Sequence, residues 1–208
     1  MKKASLLIFA LVFIVLKLSA QSLYVHKSDG NVVEIPLSQI DSITFTNGGG
    51  PGFECGTSTV NDLDGNVYNT VLIGSQCWLG ENLKTTKYND GSTIPLITDA
   101  SVWDTLTMPG FAWYENNQSN KELYGGLYNW FSIDNESNGG KNACPEGWHV
   151  PSDAEWTILT DLLGGLSAGG GKLKEAGTTN WNPPNTGATN ETGFTALPGG
   201  YREISGQF

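Results

Sequence analysis

Histidine, cysteine and basic side chains are scarce in this 208-residue chain, and each scarcity removes a class of function. Only two histidines occur, His26 and His149, and neither they nor the cysteines show the close spacing of a structural zinc site. No metal and no other cofactor is therefore expected. A Ser/His/Asp triad has equally little to draw on. His149, within Gly147-Trp148-His149-Val150-Pro151, reads as a packed or hydrogen-bonded structural residue, because a general base also needs an orienting partner. Eleven Lys and Arg face 21 Asp and Glu, a net charge of −10, which argues against nucleic acid and anionic membrane surfaces as partners.

Long hydrophobic runs are absent as well, apart from Ala4 to Leu16 behind the basic start Met1-Lys2-Lys3. That run is too short to span a bilayer comfortably, and it reads as a signal peptide over residues 1–20, cut between Ala20 and Gln21. The first cysteine is Cys55, so a lipoprotein anchor has nothing to attach to. Loss of Lys2, Lys3 and Lys17 leaves eight basic residues against 21 acidic ones and raises the net charge to −13. The expected product is secreted or held at the cell surface or in the periplasm, with no membrane insertion after signal removal.

What is abundant is glycine, 27 residues, and aromatics at 11%. Both suit a loop-rich fold with short strands rather than long helices. Leu23 to Lys27 and Val32 to Leu37 alternate around the turn cluster Ser28-Asp29-Gly30-Asn31, so residues 21–46 read as a hairpin element with a third short strand at Ser42 to Phe45. This element resembles a leader found on exported proteins of Bacteroidetes-type bacteria. Residues 47–54 form a Gly-rich linker, and one domain follows over 55–208.

Within that domain Asn61-Asp62-Leu63-Asp64-Gly65-Asn66 invites a calcium-loop reading. Aligning Gly65 with the loop's glycine puts Val60 and Val71 where Asp and Glu are required, so the reading fails, and an Asp-Gly turn between strands explains the same residues. Gly74-Ser75 makes the next turn, and Gln76 to Leu79 the next strand. Leu127, Trp130 and Phe131 predict one short amphipathic helix over 124–133. A second is marked by Ser152 as N-cap, Glu155 to complete a capping box, Trp156, Leu159 and Leu163 on one face, and Gly164-Gly165 as the stop. Beyond it, Gly169-Gly170-Gly171, Pro183-Pro184 and Pro198-Gly199-Gly200 read as turns.

A run of motifs then gives a resemblance. Asp64-Gly65-Asn66-Val67-Tyr68, Glu81-Asn82-Leu83-Lys84-Thr85-Thr86-Lys87-Tyr88-Asn89-Asp90-Gly91, Leu127-Tyr128-Asn129-Trp130, Cys144-Pro145-Glu146-Gly147-Trp148 and Gly193-Phe194-Thr195-Ala196-Leu197-Pro198-Gly199-Gly200-Tyr201-Arg202 follow in order. Together they resemble the Fibrobacter succinogenes major paralogous domain, from about Cys55 to Arg202. That family is similar to sulfatase-modifying-factor domains and, more distantly, to C-type lectins. The resemblance implies an α+β, C-type-lectin-like fold with two short helices, small irregular antiparallel sheets and long loops. It also implies that family members continue past Phe208 to a late cysteine that bridges to Cys144. The expectation is thus a chain lacking its last strands, with Cys144 unpaired and the strand edge around Val60 uncovered.

Cys55 and Cys77 are expected to form a disulfide, because they flank the first hairpin of the domain and hold familiar motif positions. An oxidase of the formylglycine-generating kind would need cysteines after Cys144, and none follows. A calcium-dependent lectin would need Glu-Pro-Asn or Gln-Pro-Asp with Trp-Asn-Asp, and these are missing too. The expected function is a non-catalytic binding or interaction module of a bacterial envelope, for an undefined surface protein or glycan. The alternative is a calcium-independent carbohydrate-binding module. Trp103, Trp113 and Trp181 are the candidate ligand-facing aromatics, whereas Trp78, Trp130, Trp148 and Trp156 are expected in the core.

Overall fold

A computed structural model describes residues 22–26, 30–40 and 52–208. The expected signal peptide with its Ala20–Gln21 junction, the third strand at 42–45 and the linker over 47–51 lie outside the described residues. The chain divides into two compact units, Met1–Phe45 and Thr46–Phe208. In the first, strands β1 (Ser22–His26) and β2 (Val32–Pro36) pair antiparallel with Leu23 opposite Ile35 and Val25 opposite Val33. Tyr24, Val25, Val32 and Val33 are exposed on this two-stranded element.

The second unit starts from a turn that the sequence encodes locally. Gly65 takes φ +81°, and the Asp62 carboxylate accepts from the backbone N–H of Asp64 and of Asn66, both at 2.9 Å. That side-chain clamp turns β3 (Thr59–Asn61) back into β4 (Val67–Ile73). Gly74, at φ +63°, and Ser75 then return the chain into β5 (Gln76–Leu79), giving an antiparallel sheet in the order β3-β4-β5. Alternation places Ile73, Gln76 and Trp78 on one face and Cys77 on the other. The Cys55–Cys77 disulfide, with Cα atoms 5.9 Å apart, ties the chain entering β3 to that second face.

Downstream come α1 (Ala100–Asp104), β6 (Phe111–Trp113), α2 (Lys121–Tyr124), β7 (Gly126–Tyr128), α3 (Trp130–Ile133), α4 (Asn135–Asn138), α5 (Asp153–Leu162) and α6 (Leu166–Leu173). The architecture is α+β, with small antiparallel sheets and six α-helices among the described residues. Helix α5 begins as its capping box requires: Ser152 Oγ accepts from Glu155 N–H, and Glu155 Oε2 accepts from Ser152 N–H at 2.8 Å. Its inner residue Leu159 and its C-cap Leu163 pack on Ile73 and Trp78 to make one core. A second core joins Tyr88, Ile94, Phe111, Trp113 and Ala143, with Phe111 stacked on Tyr128 across the β6–β7 pair at 5.7 Å.

Two expectations about helices are corrected. Residues 124–133 are not one helix but the end of α2, strand β7 and the turn α3. Gly125 breaks it at φ +68°, where a Cβ would stand 2.6 Å from Leu83 O, and the next N–H, of Gly126, donates to that same carbonyl at 2.8 Å. Conversely, Gly169-Gly170-Gly171 lies inside α6 rather than in a turn. Gly169 sits against Leu163, the C-cap of α5, and Gly171 passes so close to the loop at 187 that a Cβ would meet Gly187 O at 2.2 Å. These glycines give close approach, not chain reversal.

Candidate binding cavity

Three segments far apart in sequence, residues 61–63, residues 85 and 87–90, and residues 143–146, enclose a cavity of about 450 Å³. Two carboxylates, the buried Asp62 and the half-buried Asp64, hold the first two walls together. Asp62, 9% exposed, uses Oδ1 for the turn N–H groups and Oδ2 for Asn66 Nδ2 and the Tyr68 hydroxyl, both at 2.7 Å. Tyr68 is itself fully buried; burial and then its bond to Asp62 push its pKa well up, and its oxygen accepts from Lys84 N–H at 3.0 Å. Asp64 reaches the second wall, accepting from the N–H and hydroxyl of Thr86 and pairing with Lys87 Nζ at 3.0 Å. Burial alone would raise the Asp64 pKa, but the Thr86 N–H, Lys87 and the Thr86 hydroxyl outweigh it and hold the carboxyl below its usual range.

The third wall is fastened to the second through backbone and amide groups. Asn89 N–H donates to Asn142 O at 2.8 Å, and Asn142 Oδ1 accepts from Cys144 N–H at 2.9 Å. Lys141 donates to Ser92 Oγ at 2.9 Å and lies 5.3 Å from the Tyr88 ring centre. Asp90 is occupied on Oδ1 by the hydroxyl and N–H of Ser92, which lower its pKa, and Lys141 lies 3.9 Å from Oδ2.

Tyr88, Ala143 and Cys144, at 2%, 4% and 8% exposure, are the most buried part of the lining, and the Tyr88 hydroxyl is buried there with no hydrogen-bond partner among the described residues. Cys144 is a free thiol, and burial pushes its pKa up to about 11. The side chains of Asn61, Asn89 and Glu146 are exposed and make no hydrogen bond or ion pair within the described residues. The set contains no nucleophile held by a base. Among the described residues no group of three His, Cys, Asp or Glu side chains is placed to hold a metal ion, and no helix is long and apolar enough to cross a membrane.

The tryptophans singled out from sequence lie elsewhere. Trp113 is a core residue at 4% exposure, which corrects its assignment as ligand-facing; β6 sets it edge-on to Phe111 at 4.9 Å. Trp103 is half-buried under the Arg202 guanidinium at 4.5 Å, and that arginine also donates to Ile97 O, Thr98 O and Gly206 O. Trp181 carries Lys174 Nζ 3.9 Å above its ring and donates through Nε1 to Ala196 O. Both are half-buried and already stacked by a cation. Trp78 is in the core as expected and Trp148 is half-buried, but Trp130 is 66% and Trp156 43% exposed, a second correction. Trp156 lies over Trp78 at 4.9 Å, and Trp130 sits on the outer side of α3.

Apart from Cys144, none of the cavity residues was singled out as a site from sequence. The available signal was the motif runs themselves, because 64–68, 81–91 and 144–148 converge on the cavity and its supports. Comparisons with curated proteins and with solved structures gave no match. The family model of the Fibrobacter succinogenes major domain matches residues 71–208, well over half of the sequence, and the chain belongs to that family.

Proposed function

We propose that this protein is a non-catalytic binding module, exported and then secreted or held at the bacterial cell surface, with the cavity as its binding site and a fold of the C-type-lectin-like kind. The observation that carries the reading is the division of labour in the cavity walls. Asp62, Asp64, Thr86 and Asn142 are consumed in holding the three segments, while Asn61, Asn89 and Glu146 are left with free hydrogen-bonding capacity beside a buried floor that includes the unpartnered Tyr88 hydroxyl. A concave, half-apolar site with a few uncommitted polar groups is the usual form of a ligand pocket. Export rests on the basic start, the apolar run and Ala20. The fold assignment rests on the family resemblance and on the small sheets joined by long loops.

The test has two parts. N-terminal sequencing of protein recovered from periplasm or medium is expected to begin at Gln21; retained Met1 in cytoplasmic protein would refute export. The purified chain, screened on glycan and peptide arrays, is expected to bind a component of one of them without changing it. Chemical turnover of that component would refute the non-catalytic reading.

A further inference from the structure

The charges of the cavity favour one ligand class. In and around the lining, the carboxylates of Asp62, Asp64, Asp90 and Glu146 stand against the ammoniums of Lys87 and Lys141. Asp62 is engaged on both oxygens, Asp64 holds Thr86 and Lys87, and Asp90 holds Ser92 with Lys141 beyond it. Glu146 has no hydrogen bond or ion pair within the described residues. An unpaired carboxylate repels an anion, and a neutral ligand would take water from it without supplying a counter-charge. A cation answers it, and the chain's net charge of −10 draws cations from a distance.

The kind of cation follows from the rest of the lining. A divalent metal needs several convergent oxygens, whereas Asp62 is filled and, among the described residues, no group of three His, Cys, Asp or Glu side chains is placed to hold one. A quaternary ammonium needs an open aromatic face. Tyr88, the aromatic residue of the lining, is 2% exposed with Lys141 Nζ 5.3 Å from its ring centre, so it offers none. A primary ammonium carries three donors and no acceptor. Glu146, Asn61 and Asn89 each bring a free acceptor oxygen to the same cavity, one for each donor. A guanidinium would set five donors in a fixed fork against the same three side chains and leave some of them to water. The stem that carries the ammonium has a surface to lie on as well: Leu63 lines the cavity at 56% exposure, an accessible apolar face for a run of methylenes.

We infer that this cavity receives a primary ammonium on an apolar stem, the side chain of a lysine displayed by a partner protein. The inference rests on the cavity being the binding site.

The experiment titrates the full chain, by calorimetry, with one short glycine-flanked peptide whose central residue is lysine, acetyl-lysine, trimethyl-lysine or arginine, and with n-butylamine. The lysine peptide is expected to bind, more weakly as salt is added, and acetylation to weaken it about tenfold or more by removing a charged hydrogen bond. The trimethyl-lysine and arginine peptides are expected to bind more weakly than the lysine peptide. n-Butylamine is expected to compete only at higher concentration, because it brings nothing to the exposed rim. Glu146→Gln should weaken lysine-peptide binding about tenfold or more, and Asn61→Ala and Asn89→Ala about three- to tenfold each. All three variants should keep the parent's Tm, since these side chains make no bond within the described residues. Equal binding of the lysine and acetyl-lysine peptides, or tighter binding of the trimethyl-lysine or arginine peptide, would overturn the primary ammonium. n-Butylamine binding as tightly as the peptide would overturn a protein as its source. Lysine-peptide binding that ignores all three variants would overturn the placement. If the lysine peptide fails while a glycan or another peptide binds and loses affinity in these variants, the ligand class falls and the cavity stands as the site. Absence of binding to every peptide and every array component would overturn the binding-module reading itself.

Discussion

Asp62→Ala should be among the most damaging single substitutions in the second unit, and its effect can be worked out from the donors it abandons. Four donors lose a charged acceptor: the N–H groups of Asp64 and Asn66, Asn66 Nδ2 and the Tyr68 hydroxyl. The turn is half-exposed, so water replaces the carboxylate there and the net loss is modest. The Tyr68 hydroxyl belongs to a residue with 0% exposure, and an unpaired buried donor costs about 1–3 kcal/mol. Hydrogen bonds to a charged group contribute about 1.5–3 kcal/mol each and are not additive within one network. The sum points to a loss of about 3–5 kcal/mol, a large part of a typical domain stability of about 5–15 kcal/mol. Urea denaturation of the oxidised chain, followed by tryptophan fluorescence, measures it. A double-mutant cycle sharpens the test: Tyr68→Phe removes the orphan, so the double variant should be more stable than additivity predicts by about 1–2 kcal/mol. A loss under about 0.5 kcal/mol for Asp62→Ala, or a strictly additive cycle, would refute the view that this carboxylate organises the turn.

Further outcomes follow from single features. Ser152→Ala should destabilise by about 1 kcal/mol in the same assay, because it breaks the capping box of α5. Glu155 is held down to about 2 by the Ser152 N–H, then the Ser152 hydroxyl and His149; its stabilisation is present above its unfolded value near 4.5 and should be lost as pH falls towards 2, visible as a falling Tm. Reducing the Cys55–Cys77 bridge, which closes a 22-residue separation, should lower stability by about 3 kcal/mol in the chain-entropy view. Gly170→Ala, with nothing within 4 Å of the new Cβ, should stabilise α6 by about 0.5–1 kcal/mol, whereas Gly171→Ala should destabilise the chain because its Cβ would meet Gly187 O. Cys144, neutral up to about 11 when folded against 9.0 for an ordinary thiol, should react far more slowly with disulfide reagents at pH 8 in the native than in the denatured chain; equal rates would contradict its burial.

Features whose determinants lie within a few residues were legible in the sequence. The turn at 62–66, the strands on either side of Gly74-Ser75 and the capped start of α5 are all encoded locally, in an Asp-Gly pair, an alternation and a Ser-x-x-Glu spacing. Where a distant partner decides, the local pattern misleads. Leu127, Trp130 and Phe131 are spaced like one face of a helix, yet Leu83 O captures the N–H of Gly126 and Phe111 pairs with Tyr128, which draws the segment into a strand. The triple glycine scores as a turn on propensity. It lies within α6, and one of its three positions is fixed by a distant neighbour: a Cβ on Gly171 would meet Gly187 O at 2.2 Å. Trp113 and Trp130 exchanged places for the same reason. Neither neighbourhood tells which residue faces Phe111 and which faces solvent. The Arg202 clasp on Ile97 and Thr98 spans more than a hundred residues and leaves no local trace.

The cavity belongs to this second kind, and its lining separates residues spent on the fold from residues that are not. Every wall has residues whose side chains or backbone groups are spent on the fold: Asp62 on the turn, Thr85 on Lys87 O, Cys144 N–H on Asn142. Substitution there moves a wall. Interleaved with them, one to four positions away, are Asn61, Asn89 and Glu146, whose side chains are exposed and unbonded within the described residues. Surface changes at such positions typically shift stability by less than about 0.5 kcal/mol. On the proposed reading, ligand preference would be set by these three side chains, which the fold does not use, on walls that it holds in place.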